Sequence, residues 1–402
     1  MRITVASFPV LAMAALSLAA CSGGTEQPNP LRPAEATLAD PIDVIPFTTP
    51  PAGVVTQPAN NNLDVVEHDG RFYLAFRTAP SHFASADTEM YIVSSTDQTN
   101  WTLEQKFSMG TDLREPRFLS FDGKLFFYFS VLGKDPLKFE PQGVRMSQYQ
   151  SPGKWTEPMT VFDPGIILWR SKTVAGKPYL VGYIGGGNIY EVNGEPITIH
   201  WLTTKDGATF EPVVPGHEIV ETGGGSETDF VFLDDGALVA VTRNEAGDET
   251  GWGSKICRAE AADLGTWKCV HDPKKYDSPL MFRDGAHIYL VGRRNVTDTG
   301  NYDLGQDDLS AHDQTSTYEV TYSFAPKRCS LWEVDPVKLE VSLLKDLPSH
   351  GDTCFPGLLS HGDGKYTIYN YTSPLDAQDE DWNWIKGQGL PTNIYRIGLE
   401  VP

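Results

Sequence analysis

His68-Asp69-Gly70-Arg71-Phe72-Tyr73-Leu74 reads as two strands joined by a tight turn. Asp-Gly between β-prone runs supplies the positive φ angles that a type I′ hairpin needs. The same signal returns at Phe121-Asp122-Gly123-Lys124-Leu125, Ala175-Gly176-Lys177-Pro178-Tyr179, Asp234-Asp235-Gly236-Ala237-Leu238, Arg283-Asp284-Gly285-Ala286-His287 and Gly362-Asp363-Gly364-Lys365-Tyr366. The six turn glycines are 53, 53, 60, 49 and 79 residues apart. A second turn ending in an aromatic residue follows most of them, at Trp101, Trp155, Phe210 and Trp267, spaced by 54, 55 and 57 residues. Four strands in each unit of about 50 residues describe a propeller blade. The expectation is an all-β, six-bladed β-propeller of four-stranded blades, with five blades and one hairpin outside the ring as the alternative. The last unit lacks sequence for a fourth strand. A segment within residues 42–58 is predicted to complete it and close the ring.

Composition narrows the function. The 402 residues carry 32 Lys+Arg against 53 Asp+Glu, a net charge of −21. Such a chain lacks the basic face that phosphate-backbone binding requires, so nucleic acid is excluded as a partner. With 11% aromatic residues the chain is not a disordered acidic polymer. Residues 1–20 carry one charge, Arg2, before an apolar run, and read as a secretory signal. Leu18-Ala19-Ala20-Cys21 resembles a bacterial lipobox, which implies lipidation at Cys21 and a place in the cell envelope, with Ser22 pointing to the outer membrane. Residues 21–58 are rich in proline and read as a tether, and residues 59–402 as the propeller. Membrane contact is expected through the N-terminal lipid only, and the protein is expected to be a monomer. The four remaining cysteines, Cys257, Cys269, Cys329 and Cys354, suit two disulfides in an exported chain. They allow three connectivities. Cys257–Cys269 with Cys329–Cys354 is preferred, because the first pair flanks a predicted hairpin. No metal and no cofactor is expected. The acidic loop 298–313 matches no EF-hand pattern.

Strand direction decides which loops share a face. The turns quoted above lie on one side, and the long loops 78–89, 131–143, 184–198, 295–328 and 374–392 on the other. Function concentrates on long loops over a rigid scaffold. Arg77, Arg243, Arg293 and Arg294 close second strands, while Arg114, Arg117 and Arg170 open first strands. Seven of 15 arginines on one face point to a carboxylate or other anionic ligand, since the guanidinium fork pairs bidentately with such groups. Carboxylates open first strands as well: Asp64, Glu115, Glu227, Asp229 and Asp352. Trp382, Trp384, Tyr302, Tyr318 and Tyr322 on the loops could stack on sugar rings or pack the loops.

The repeat, together with the turns Ser95–Trp101 and Thr204–Phe210, resembles the Asp-box propellers of the sialidase superfamily over residues 60–401. The resemblance makes Asp97 and Asp206 structural, binding turn backbone. It implies a glycoside hydrolase on an anionic glycan, with Arg243, Arg293 and Arg77 as carboxylate clamp and Glu227 with Tyr371 as nucleophile pair. Asp87 would be the acid/base, and Arg114, Arg294 and Asp229 lie nearby as substrate-binding candidates. No clear Arg-Ile-Pro motif precedes the first blade. Leu113-Arg114-Glu115-Pro116-Arg117 instead resembles the Arg-Asp-Pro motif of furanosidase and fructosidase propellers. That alternative would use three carboxylates, Asp64, Glu115 and Glu227. A non-catalytic glycan- or protein-binding propeller is the rival from another class, because fold does not decide function.

Overall fold

The computed structural model describes residues 35–136, 138–185, 195–376 and 382–402. The signal, Cys21 and the tether up to residue 34 lie outside the described residues. Residues 36–402 build six antiparallel sheets around an axis. The first four blades begin with the inner strands Ala59–His68, Leu113–Phe121, Ile166–Val174 and Gly225–Phe232. Asp277–Asp284 and Gly357–Gly362 begin the fifth and sixth. Each inner strand pairs with the next strand in sequence across the turn predicted for it. Asp69 and Gly70, Asp122 and Gly123, Ala175 and Gly176, and Asp363 and Gly364 all have positive φ, as type I′ turns demand. Asp97 accepts from the backbone N–H of Thr99 and Asn100 at 2.8 and 2.7 Å, and Asp206 does the same for Ala208 and Thr209 at 2.9 and 2.7 Å. Both side chains are spent on their own turns.

The sixth blade closes the ring. Ile42–Ile45 and Thr37–Leu38 both pair antiparallel with the last strand, Asn393–Glu400. The predicted closing strand therefore exists, but it begins earlier than expected and stops at Ile45. Residues 37–45, read as tether, belong to the propeller. Ile45 and its partner Ile394 are fully buried, so the seam is apolar as well as hydrogen-bonded. Both preferred disulfides form. Cys257–Cys269 joins directly opposed residues of neighbouring strands, and Cys329–Cys354 ties the fifth blade to the approach of the sixth.

Inner strands share one irregularity. Register slips between Asn61 and Leu63, Arg114 and Arg117, Leu168 and Arg170, Gly225 and Thr228, and Asp277 and Leu280. These are β-bulges, at the strand ends nearest the long loops, and Asn62, Glu115 and Ser278 within them have positive φ. Bulges re-aim side chains and bend the strand. Among the described residues the long loops carry two helices, Ala311–Ser323 and Trp384–Gln388. Ser310 caps the first by accepting from Asp313 N–H.

Truncating Ile45 to Ala should lower unfolding free energy by about 2–5 kcal/mol. The same change at half-exposed Ile42 should stay within about 0.5 kcal/mol. Denaturant titration of both variants checks the seam; equal effects would mean that Ile45 does not hold it.

Candidate active site

Bulged strands aim their side chains into a cavity of about 320 Å³ on the long-loop face. Asn62, Glu115, Trp169, Glu227 and Ser278 arrive from five inner strands, and Tyr371 from the second strand of the sixth blade. Arg243 and Arg293 lie on the second strands of blades four and five, while Arg114 opens blade two. Leu132, Phe139, Trp169, Tyr183 and Phe355 form an apolar wall. In a chain of net charge −21 the lining is weighted the other way. Five cations (Arg114, Lys138, Arg243, Lys275, Arg293) face four carboxylates (Glu115, Glu227, Glu245, Asp277).

Those charges interlock. Arg243 meets Glu227 at 3.0 Å, Glu245 at 3.2 Å and Asp277 at 3.7 Å. Asp277 also meets Arg293 at 3.3 Å and accepts from the Tyr322 hydroxyl. Lys275 reaches Glu245 at 2.5 Å. Arg293 donates to the Thr353 carbonyl at 2.6 Å, with Trp384 over its guanidinium at 5.3 Å. The second Glu227 oxygen accepts from Ser278 N–H at 2.6 Å. Burial pushes the Glu227 carboxyl up to about 7, with Asp277 and Glu115 adding to the rise and Arg243 opposing it. Burial also raises Glu115.

A second constellation adjoins the first. The Tyr371 hydroxyl donates to Asp352 Oδ1 at 2.9 Å, and His82 Nδ1 lies 2.6 Å from Asp352 Oδ2. Asp352 is fully buried. Desolvation raises it, but His82, Arg293 and the Tyr371 hydroxyl outweigh that, and it stays an anion. Burial holds Tyr371 well above the usual phenol value. Among the described residues no group of three His, Cys, Asp or Glu side chains is placed to hold a metal ion.

No protein-family pattern matches the chain, and no curated protein sequence does. Solved structures do. A protein of unknown function from Dyadobacter fermentans is similar with a TM-score of 0.58 at 12% identity, over 91% of this chain and 99% of that one. The sialidase of Trypanosoma rangeli, solved with sialic acid, is similar with a TM-score of 0.53 at 11% identity over 86% of this chain. A phage phi92 endosialidase matches with a TM-score of 0.54 at 10% identity, over 87% of this chain and 68% of that one. This chain spans 54% of the trypanosomal enzyme. The chain has the six-bladed fold of the sialidase propellers. At these identities the likeness concerns the fold.

On this sialidase-type propeller the expected site residues divide. Glu227, Glu115, Tyr371, Arg114, Arg243 and Arg293 come together in the cavity. Arg77 does not line it. Fully buried, it is bound to Asp112 at 2.7 Å and to the carbonyls of Ser81 and Phe83. Arg294 pairs with Asp346 at 2.6 Å, away from the lining. Asp87 is exposed, and the loop that carries it places His82, Phe83 and Ala84 at the cavity instead. Asp64 lines a separate cavity of about 860 Å³ near the tight turns and accepts from Phe118 N–H at 2.7 Å. Asp229 is fully buried against Lys172 at 2.6 Å and Arg170 at 3.4 Å. The trio Asp64, Glu115 and Glu227 is therefore not brought together, and Tyr371 pairs with Asp352 where Glu227 was expected. Trp384 reaches the cavity, whereas Tyr302, Tyr318 and Tyr322 pack with Trp252 in a buried cluster. His82, Lys275, Asp277 and Glu245 were not anticipated. A usable signal existed for Asp277: Ser278-Pro279, like Glu115-Pro116, puts proline inside a strand, which marks a bulge.

Glu227 yields a pH signature. Between its ordinary value of 4.5 and about 7 the folded protein holds a proton that the unfolded chain has released. This group therefore makes stability fall as pH rises through that window. Glu227→Gln should flatten the fall of Tm between about pH 5 and 7. Differential scanning measurements across that range test it; an unchanged slope would assign the proton elsewhere.

Proposed function

We propose that this protein is a carbohydrate-active propeller, a sialidase-like glycoside hydrolase acting on an anionic glycan. One observation carries the reading: Arg114, Arg243 and Arg293 share a cavity with Tyr371. Guanidinium groups pair bidentately with a sugar carboxylate and fix its orientation. A carboxylate nucleophile would be repelled by such a sugar, whereas a phenol enters neutral. In this proposal Arg114, Arg243 and Arg293 form the clamp, with Arg114 in the part first given to Arg77. Tyr371 attacks the anomeric carbon, and Asp352, already accepting its hydroxyl, takes the proton. Glu227 holds Arg243 in place, Glu115 faces the same sugar, and Trp384 offers a stacking surface beside Arg293.

A second reading is a non-catalytic glycan binder. It is favoured by the commitment of Glu227 to Arg243, Asp277 to Arg293 and Glu245 to Lys275, which suits a rigid recognition site. In either reading the leader and lipobox would place the chain in the cell envelope, held by lipid on Cys21. The two disulfides accord with an oxidising compartment. No helix among the described residues is long and apolar enough to cross a membrane.

The mature protein should hydrolyse an aryl sialoside and leave neutral aryl glycosides intact. Tyr371→Phe should lower kcat by at least about a thousandfold with the fold intact, as loss of a nucleophile does. Saturable sialic acid binding without turnover would move the assignment to the binder.

A further inference from the structure

The first long loop is held more firmly than a surface loop requires. Arg77 donates to the carbonyls of Ser81 at 3.2 Å and Phe83 at 3.0 Å. Arg114 donates to the His82 carbonyl at 2.6 Å, and His82 N–H donates to the Gln388 carbonyl at 3.0 Å. Three flanking elements thus fix the backbone on both sides of His82. The imidazole is fixed as well. Its Nδ1 faces Asp352 at 2.6 Å, and because that carboxylate can only accept, Nδ1 carries the hydrogen. The other nitrogen, Nε2, is left for the cavity that His82 lines. A carboxylate on one imidazole nitrogen and a reaction space at the other is how a histidine is set up to exchange protons with substrate. The rings of His82 and Tyr371 lie 6.1 Å apart, and the same Asp352 serves both.

We infer that His82 is the general acid/base of this site, oriented by Asp352 and exchanging its proton through Nε2, and that Arg77 is a positioning residue that holds it there. This rests on the hydrolase reading above. In the first step the Tyr371 oxygen bonds to the anomeric carbon as the bond to the leaving oxygen breaks. The Tyr371 proton passes to Asp352, and protonated His82 gives its Nε2 proton to the leaving oxygen. In the second step neutral His82 takes a proton from water as that water attacks the anomeric carbon. Tyr371 departs and recovers its proton from Asp352. Protons and charges balance over the cycle.

The groups facing His82 set its working range. Burial lowers its affinity for a proton, the Asp352 charge raises it, and Arg114 and Arg77 lower it further. The net displacement is below the ordinary 6.5, so the acid form is lost, and activity with it, as pH rises through a value on the acidic side of that figure.

Leaving-group dependence separates this role from a structural one. A nitrophenyl sialoside needs no protonation to depart, whereas sialyllactose, losing an alcohol, does. His82→Asn should lower kcat/KM on sialyllactose by roughly 10²–10⁴-fold and on the nitrophenyl substrate by less than about tenfold. Retained turnover of the activated substrate also shows that the variant is folded. His82→Gln, which keeps a donor for Asp352, should behave likewise and lose the activity decline at rising pH on sialyllactose. Equal losses on both substrates would overturn the His82 assignment while leaving the hydrolase reading intact. A wild-type protein inert towards both would remove that reading and this inference with it.

Discussion

Five inner strands slip register by a residue or more at their ends nearest the long-loop face, and the rest of the site depends on that slip. A regular strand alternates its side chains between the two faces of its blade, which in a propeller means into the packing between neighbouring blades. A bulge breaks the alternation and turns a side chain towards the axis. Glu115, Trp169, Glu227 and Ser278 reach the cavity in this way. The same distortion frees Ser278 N–H to hold Glu227. Positive φ at Asn62, Glu115 and Ser278 is unfavourable for residues with a Cβ, and these three, unlike the positive-φ residues of the tight turns, line the cavity.

Bringing charges to a buried axis has a desolvation cost of several kcal/mol per ion unless they are paired and hydrogen-bonded. The cavity meets this by sharing. Arg243 touches three carboxylates, and Asp277 accepts from both Arg293 and Tyr322. Removing any one partner would strand another. Arg117 follows a different route: buried under the cavity, its guanidinium lies over Trp169 and Phe355 at 5.0 and 4.5 Å and donates to the Trp169 carbonyl. Aromatic faces thus solvate a cation where water cannot. The outcome is a lining in which five cations face four carboxylates, a local contrast with the net charge of −21 of the whole chain.

Much of the architecture is legible in the sequence because it is local. Asp-Gly turns specify their hairpins through backbone conformation alone, so blade number, strand pairing, the face that carries the long loops and the pairing of Cys257 with Cys269 could be read in advance. Glu227, Arg243, Arg293 and Tyr371 followed, since repeat position places a residue near or far from the axis. What a residue touches after that is not local. Arg77 and Arg243 both lie on second strands, yet one meets Asp112 from the next blade in full burial and the other faces the cavity. Asp64 and Glu115 both lie on first strands, but only Glu115 sits in a bulge that turns it to the axis.

The sequence by itself determined the repeating hairpins, the ring they form and the acidic character of the chain, because each follows from short-range turn chemistry or composition. Only the tertiary structure decided the partners of Tyr371 and the residue that the first long loop presents. Asp352 and His82 stand 270 positions apart, and they meet through the closure of the ring between its sixth and first blades. No periodicity carries that information. It arises where loops from both ends of the chain converge on one axis, and there distance and burial determine the chemistry.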